Sequence, residues 1–365
     1  MEFFNCHISP KAVELATEVL KSGYVSEGPM VKKFESALSS SLGLVNPVAL
    51  NSGTSALHLA LVLAGIQAGD EVILPAQTFV ATGSVILMQG ATPVFADIDP
   101  LTGNILPQSI FAKITSRTKA VIMVHWGGYP CEIDEINAIA LKNRLAVIED
   151  AAHALGATYK RKPIGSLSRF TAFSFQAIKH LTTGDGGLLC CKEKADAQDA
   201  SSKRWFGIDR AKSKASILGE RDYDIKGLGY KYHMNDLAAA VGLGNLKDFK
   251  ERLSRRQQIG QYYRQQLKGV SGLQLLKLEN DRTHAWWLFT LLAEGREDFI
   301  RKLAKAGIPA SVVHRRIDRN SVFGALRKDL PGQEEFDRLQ ISIPLHEGLS
   351  DEDIKKIASV IISGW

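Results

Sequence analysis

Short apolar runs alternate with helical patterns through the first two thirds of the chain, and this alternation restricts the fold more than any other feature of the sequence. The runs that predict strands cover residues 48–51, 71–74, 93–97, 119–124, 146–150 and 188–191. The patterns that predict helices between them cover residues 55–64, 82–89 and 132–143. Strands that alternate with helices are typical of a parallel, doubly wound sheet with helices on both faces. The sequence therefore predicts an α/β fold.

The last third of the chain has a different pattern. It predicts a long polar helix over residues 246–267, a strand over 285–292, a helix over 297–306 and a strand over 341–343. Ser350 and Asp353 have the spacing of a capping box at the start of a final helix. Because 365 residues are many for one domain, we expect a large domain of residues 1–245 and a smaller α/β domain of residues 246–365.

Charge and cysteine content exclude several classes of protein. A net charge of +6 suits an anionic ligand, but the sequence has no recognition motif that would indicate a nucleic-acid partner. The four cysteines have the spacing of neither a disulfide framework nor a metal site, and the adjacent Cys190 and Cys191 should point to opposite faces of a strand. Because neither a signal sequence nor a membrane-spanning apolar run is present, we expect a cytoplasmic protein without a membrane partner.

Several chemically versatile residues follow the predicted strands, where ligands bind in doubly wound sheets. In the motif NSGTS, Gly53 permits a tight turn, and Thr54, Ser55 and the free N–H groups of the next helix can hold a phosphate. The same residues are equally suited to capping that helix, and both interpretations stay open here. Phe79 can stack on a flat ring or serve as a core residue.

Two ionisable residues complete the group. Asp150, in EDAAH, can face a protonated ring nitrogen or stand as a surface carboxylate at a helix N-terminus. Lys179 precedes the glycine-rich turn TTGDGG; burial there would lower its pKa and prepare the amine to form a Schiff base with an aldehyde, whereas most lysines are solvated. A phosphate site, an acid for a ring nitrogen, a stacking aromatic and an aldehyde-binding lysine together match pyridoxal phosphate (PLP).

The motifs that carry these residues resemble those of one enzyme family. They are NSGTSALHLAL, PAQTFVAT, EDAAHALGATY, SFQAIKHLTTGDGG and YKYHMNDLAAAVGL. In this order the chain resembles the DegT/DnrJ/EryC1/StrS family of sugar aminotransferases, which are PLP enzymes of the aspartate aminotransferase fold (fold type I). The resemblance implies a large domain with a mostly parallel, seven-stranded sheet and a smaller C-terminal α/β domain.

The resemblance also implies a role for each matching residue. Lys179 matches the lysine that binds the cofactor aldehyde, Asp150 the acid that pairs with the pyridine nitrogen, and His153 a third catalytic residue against the cofactor ring. Phe79 matches the aromatic residue stacked on the ring. The residues that match the phosphate site are Gly53, Thr54, Ser55 and Ser174. Asn235 matches an asparagine that reaches the phosphate of the neighbouring subunit, which implies a homodimer with shared active sites.

The resemblance implies a reaction that moves an amino group from glutamate or glutamine to a nucleotide-linked keto sugar, for a surface polysaccharide or a glycosylated metabolite. A sugar dehydratase of the same family is an alternative, but those enzymes have histidine at the position of Lys179. A non-catalytic, ligand-binding regulator is a second alternative, and both Lys179 and Asp150 argue against it.

One segment departs from the family pattern and bears on the substrate. The sequence VHRRIDR at residues 313–319 stands where many members have a His-Tyr-x-Pro-Leu segment. Its arginines can bind a diphosphate or a carboxylate, or be surface charges. The predicted substrate residues are Tyr24, His314, Arg315, Arg316 and Arg319.

Overall fold

The structure is a computed structural model that describes residues 1–209 and 214–365. The helices of these residues are α1 (Pro10–Ser22), α2 (Pro29–Leu42), α3 (Gly53–Leu63), α4 (Val80–Met88), α5 (Pro107–Ala112), α6 (Ile133–Asn143), α7 (Lys194–Lys203), α8 (Asp236–Leu246), α9 (Phe249–Gln266), α10 (Arg296–Lys305), α11 (Pro331–Leu339) and α12 (Asp351–Ile362). The strands are β1 (Pro47–Leu50), β2 (Glu71–Pro75), β3 (Thr92–Ala96), β4 (Thr118–Val124), β5 (Ala146–Asp150), β6 (Thr158–Tyr159), β7 (Lys162–Pro163), β8 (Phe170–Ser174), β9 (Gly187–Cys191), β10 (Lys214–Ala215), β11 (Arg221–Asp222), β12 (Leu273–Leu275), β13 (Arg282–Thr283), β14 (Phe289–Ala293) and β15 (Gln340–Ile343).

A seven-stranded sheet in the order β1-β9-β8-β5-β4-β2-β3 forms the centre of the large α/β unit. All neighbouring pairs from β8 to β3 are parallel, whereas β9 is antiparallel to both β1 and β8. The predicted mostly parallel sheet of fold type I is thus confirmed. Cys190 and Cys191 belong to different core clusters on the two faces of the sheet, as their alternation in a strand requires.

The C-terminal part contains a second, antiparallel sheet in the order β12-β14-β15. Apolar residues of α9, α10 and α12 form a common core with it. The long polar helix predicted from residue 246 begins instead at Phe249, after α8 has ended. The boundary predicted between residues 245 and 246 falls at the end of α8 and remains a prediction.

The strand predicted over residues 285–292 begins only at Phe289. The preceding residues follow an irregular path, in which Trp286 has a φ of 54°. The N–H groups of Trp287 and Leu288 both donate to the carbonyl of Gly127, at 2.9 and 3.1 Å, instead of to a neighbouring strand. This path matters because it brings Trp287 to the site described below.

The predicted capping box is present at the start of α12, where the Ser350 hydroxyl accepts from the Asp353 N–H and the Asp353 carboxylate accepts from the Ser350 N–H. Within residues 1–209 and 214–365, every helix is too short or too polar to cross a lipid bilayer.

Candidate active site

A cavity of about 340 Å³ lies at the carboxyl ends of the parallel strands. Its wall is formed by the first turn of α3, the connection between β2 and α4, the last residues of β4, β5 and β8, and the segment between β8 and β9. Trp287 and His314 contribute the remaining side. Doubly wound sheets bind ligands at this position, and the volume is that of a small-molecule site.

The first turn of α3 and the end of β8 meet at one corner of the cavity. Gly53, Thr54 and Ser174 all line it. A Cβ at residue 53 would lie 3.0 Å from the Cβ of Ser174, so glycine permits an approach that a larger residue would obstruct. Because the free N–H groups of a helix N-terminus attract phosphate, and two hydroxyls stand beside them, this corner can hold a phosphate group.

Ser55 lies behind this corner and is absent from the cavity wall that the described residues form. Its hydroxyl donates to Oδ1 of Asn51 at 2.6 Å, and its N–H donates to the hydroxyl of Ser52 at 3.0 Å. Ser52 lines the cavity itself. The geometry therefore favours Ser52 over Ser55 as a phosphate ligand, and the role predicted for Ser55 remains a prediction.

Asp150 ends β5 with its carboxylate in the cavity. The hydroxyl of Thr82 donates to Asp150 Oδ2 at 2.7 Å, and the N–H of Ala152 donates to Oδ1 at 3.2 Å. The carboxylate is almost completely buried, and burial raises its pKa although these donors oppose the rise. A cationic N–H group in the cavity would compensate for this desolvation.

The neighbouring Glu149 points to the opposite face of the sheet, as alternation in a strand requires. It accepts a hydrogen bond from Nε2 of His125 at 2.8 Å, and both side chains are completely buried. The N–H of Ser168 donates to the same carboxylate at 3.0 Å. The two adjacent acids of EDAAH therefore have separate functions, and Asp150 alone faces the cavity.

Lys179 lies on the turn between β8 and β9, with its amine in the cavity. Nζ is 3.6 Å from the ring centroid of Trp287. Burial lowers the pKa of Lys179 from 10.5 to about 7, and the negative charge of Asp150 limits the decrease. A large fraction of this amine is therefore neutral and nucleophilic near neutral pH, as an aldehyde-binding lysine requires.

His153 and Phe79 supply flat surfaces to the same cavity. The His153 ring stacks on Trp287 at a centroid distance of 3.8 Å and an interplanar angle of 15°. Its Nδ1 is buried and has no hydrogen-bond partner among the residues that the structure describes. Burial lowers the pKa of His153 well below its usual range, so the ring is neutral. Phe79 is 53% exposed, which leaves its ring available for stacking.

These residues fit PLP group by group. The corner at α3 suits the phosphate, the Lys179 amine suits the aldehyde, and the buried carboxylate of Asp150 suits a protonated ring nitrogen. The unpaired Nδ1 of His153 supplies a further polar atom for a group in the cavity. The fit rests on unmet requirements of this chain's own side chains, chiefly a buried acid and a buried amine with a low pKa.

Two of the five predicted substrate residues are placed differently from the prediction. Arg316 is buried, and its guanidinium donates to both carboxylate oxygens of Asp318 at 2.7 Å and to Glu334 at 3.1 Å. These partners bind its guanidinium within its own chain, although Arg316 also lines the outer pocket described below, and its assignment to the substrate remains a prediction. Tyr24 is 76% exposed and lies outside the cavity wall of its own chain.

The other three lie at or beside the cavity. His314 lines it, and a second pocket of about 290 Å³ shares His314, Thr78 and Phe79 with it. Arg315 and Arg319 line this outer pocket, and both are exposed beside Asp337, at N–O distances of 3.9 and 3.4 Å. Asn235 is exposed at the N-terminus of α8, where its side chain accepts from the N–H of Ala238 at 2.8 Å, outside the cavity of its own chain.

Besides Ser52, sequence reasoning missed two residues that hold the catalytic side chains in place. The hydroxyl of Thr82 donates to the Asp150 carboxylate. The one feature of the sequence that could have indicated it is its position in the first turn of the helix after β2. Trp287 contacts both Lys179 and His153. The adjacent tryptophans Trp286 and Trp287 could have indicated a functional segment, but the apolar pattern around them predicted a strand.

The parallel sheet, the lysine on the β8–β9 turn and the acid at the end of β5 define a PLP-dependent enzyme of fold type I. The family model of the DegT/DnrJ/EryC1/StrS aminotransferase family matches residues 7–362, and the chain belongs to this family. The predicted family, cofactor and enzyme class are thereby confirmed.

Curated relatives and solved structures agree with this assignment. The chain is 38% identical to the spore coat polysaccharide biosynthesis protein SpsC of Bacillus subtilis, over 97% of this chain and 94% of SpsC. It is 35% identical to GDP-perosamine synthase of Caulobacter vibrioides, over 92% and 90%. The sugar aminotransferase CalS13 of Micromonospora echinospora superposes with a TM-score of 0.95 at 34% identity, covering both chains completely. Spr1654 of Streptococcus pneumoniae, solved in a PLP form, has a TM-score of 0.91 at 30% identity over 100% of this chain and 98% of that one.

Proposed function

We propose that the enzyme transfers the amino group of L-glutamate or L-glutamine to the carbonyl carbon of a nucleotide-linked keto sugar. The donor leaves as its 2-oxo acid, and the acceptor leaves as an amino sugar for a polysaccharide or a glycosylated metabolite. The observation that carries the proposal is the convergence of Lys179, Asp150, His153 and Phe79 on one cavity. The names of SpsC and GDP-perosamine synthase support the sugar and polysaccharide part.

When bound, PLP supplies a carbonyl carbon that carries the amino group and a ring that accepts electrons from the carbon losing its proton. Asp150 holds a proton on the ring nitrogen, because a buried carboxylate of raised pKa is stabilised most by a cationic partner. Thr82 fixes the orientation of that carboxylate at 2.7 Å. The hydroxyls of Ser52, Thr54 and Ser174 and the free N–H groups of the first turn of α3, which begins at Gly53, would hold the phosphate.

Lys179 is proposed to be the base and acid of the reaction. Its neutral Nζ accepts the proton from the α-carbon of the donor, and the ammonium so formed returns it to the second reacting carbon. A pKa of about 7 suits both directions near neutral pH. Trp287 lies 3.6 Å from Nζ and restricts both its position and the access of water.

The outer pocket supports the proposal that the keto sugar is linked to a nucleotide. It adjoins the catalytic cavity through Thr78, Phe79 and His314 and carries the exposed guanidinium groups of Arg315 and Arg319. A sugar with its reacting carbon at Lys179 can extend into this pocket, where two guanidinium groups would bind a diphosphate. The net charge of +6 favours the approach of such an anion.

The proposal includes a homodimer and retains the cytoplasmic location predicted from the sequence. Asn235 and Tyr24 are exposed in one chain and lie outside its own cavity. This position is compatible with a role at the active site of a second subunit, where Asn235 would reach the phosphate. Sedimentation of the purified enzyme with and without PLP would measure the assembly.

The absorption spectrum of the purified protein tests the proposal. A yellow protein that bleaches with L-glutamate or L-glutamine, and recovers its colour with a nucleotide-linked keto sugar, would support every part of it. The Lys179→Ala variant should fold and show no turnover. A wild-type protein that stays colourless with added PLP, or a Lys179→Ala variant with full activity, would contradict it.

A further inference from the structure

Three buried glutamines form a cluster beside the catalytic cavity. Gln77, Gln333 and Gln340 are each 0% exposed. Oε1 of Gln77 accepts from Nε2 of Gln333 at 2.9 Å and from Nε2 of Gln340 at 3.2 Å. We call these three residues the amide cluster. Because buried amides are costly unless they are paired, such a cluster fixes the segments that carry it in one arrangement.

The amide cluster also holds the backbone of His314. The His314 carbonyl accepts from Nε2 of Gln77 at 3.0 Å and from Nε2 of Gln340 at 3.2 Å. These two hydrogen bonds stabilise an unfavourable turn. In this turn Val313 has a φ of 56°, and the His314 N–H donates to the Val312 carbonyl at 2.7 Å. A β-branched residue in this conformation is strained, and such strain is typical of functional sites.

Both sides of the cluster are anchored to the large sheet. Gln77 follows β2 and lies two residues before Phe79. The carboxylate of Asp97 accepts from the N–H groups of Gly332 and Gln333 at 2.9 and 2.8 Å, which fixes the start of α11. The same frame therefore positions Phe79 and His314, which line the passage between the cavity and the outer pocket together with Thr78.

The ring of His314 lies at this junction and lines both spaces. Its centroid is 5.2 Å from that of Phe79, 5.8 Å from that of His153 and 6.0 Å from that of Trp287. Burial lowers the pKa of His314 to about 4, so the ring is neutral, and a neutral imidazole carries one acceptor nitrogen.

An acceptor at this junction suits a hydroxyl group of the larger substrate. A donor amino acid can be bound within the inner cavity, whereas a nucleotide-linked sugar has to pass His314 to reach the outer pocket. We propose that His314 accepts a hydrogen bond from a hydroxyl group of the acceptor sugar, and that Gln77, Gln333 and Gln340 are positioning residues that hold its ring there. This inference rests on the function proposed above.

The test separates the two half-reactions of the PLP-loaded enzyme. Stopped-flow absorbance follows bleaching by L-glutamate, and then the return of colour with a panel of nucleoside-diphosphate keto sugars. The variants are His314→Phe, Gln340→Met and the double variant, with Gln265→Met on the exposed surface of α9 as the matched control. His314→Phe retains the ring and removes its nitrogens. Gln340→Met retains approximate volume and removes the hydrogen bonds.

We expect His314→Phe to lower kcat/KM for the keto sugar at least tenfold and Gln340→Met to lower it three- to tenfold, while the L-glutamate step changes less than twofold. The double variant should equal His314→Phe within twofold, because the amide cluster acts through His314. A purely structural role for Gln340 would instead give additive losses in both half-reactions. If Gln340→Met does not fold, Gln333→Met, which removes only the bond to Gln77, takes its place.

Two kinds of failure are distinguishable. A His314→Phe variant with wild-type kinetics for the keto sugar, or one impaired equally in the L-glutamate step, would overturn the inference and leave the proposed function intact. A wild-type enzyme that reacts with none of the amino donors would overturn the proposed function, and the inference with it.

Discussion

The low pKa of Lys179 predicts a specific pH dependence of stability in the cofactor-free protein. The perturbation is Lys179→Met, which retains an apolar stem in the cavity and removes the amine. The pKa of Lys179 is about 7 in the folded protein and 10.5 in its ordinary state. Between these values the unfolded chain binds a proton that the folded chain does not, so the free energy of unfolding of the wild type falls as the pH falls from 10.5 to 7.

The magnitude follows from the gap between the two pKa values. One pKa unit corresponds to about 1.4 kcal/mol, so the full gap corresponds to roughly 5 kcal/mol. Because the Lys179 side chain is not completely buried and water can enter the cavity, screening reduces this value, and we expect ~2–4 kcal/mol between pH 10 and 7. The variant lacks this contribution and should gain stability relative to the wild type by that amount as the pH is lowered.

The assay is urea unfolding of the cofactor-free proteins, followed by circular dichroism at several pH values and one protein concentration. Lys305→Met, at an exposed position in the last turn of α10, is the matched control and should follow the wild-type curve. Subtracting the two curves removes the shared titration of cysteines and tyrosines. Parallel curves for wild type and Lys179→Met between pH 7 and 10 would refute the reasoning.

Three further predictions concern other parts of the site. Asp150→Asn should lower kcat roughly a hundredfold, or ~3 kcal/mol of transition-state stabilisation, with PLP still bound; kcat and absorbance measure both, and an unchanged kcat would remove its role. Gly53→Ala should weaken PLP retention on dialysis, because its Cβ would lie 3.0 Å from that of Ser174; full retention would show that the corner adapts. Arg316→Met should cost about 3–5 kcal/mol in urea unfolding by leaving Asp318 buried and unpaired, whereas the exposed Arg319→Met should cost under ~1 kcal/mol; equal losses would contradict this difference.

Much of the site was predictable because strand ends are visible in the sequence. β5 was predicted with its observed bounds, and this places Asp150 at the carboxyl end of the sheet with Glu149 on the other face. The turn after Lys179 was also predictable from neighbouring residues, because the glycines of TTGDGG exclude a regular helix. Patterns of this kind report a residue's neighbours along the chain, and the geometry of an α/β sheet converts them into neighbours in space.

The remainder depends on contacts between distant segments. Trp287 reaches Lys179 because its N–H bonds to Gly127 rather than to a strand, and nothing in the local alternation indicates that partner. Arg316 is buried and paired with Asp318 and Glu334. The nearby Arg315 and Arg319 are exposed, and the sequence does not show this difference. The amide cluster joins residues more than 250 positions apart, so no pattern within one segment could reveal it.

The indole of Trp287 offers an internal optical reporter of the cofactor. It is one of five tryptophans, and its ring contacts both the amine of Lys179 and the imidazole of His153. A pyridoxal chromophore held by Lys179 would be close enough to this indole to accept its excitation energy, because the indole contacts Nζ of Lys179. Loading should therefore quench the ultraviolet emission of the protein, and replacing Trp287 with phenylalanine should remove much of that quenching. The fold thus places an energy donor in contact with the amine that we propose binds the cofactor.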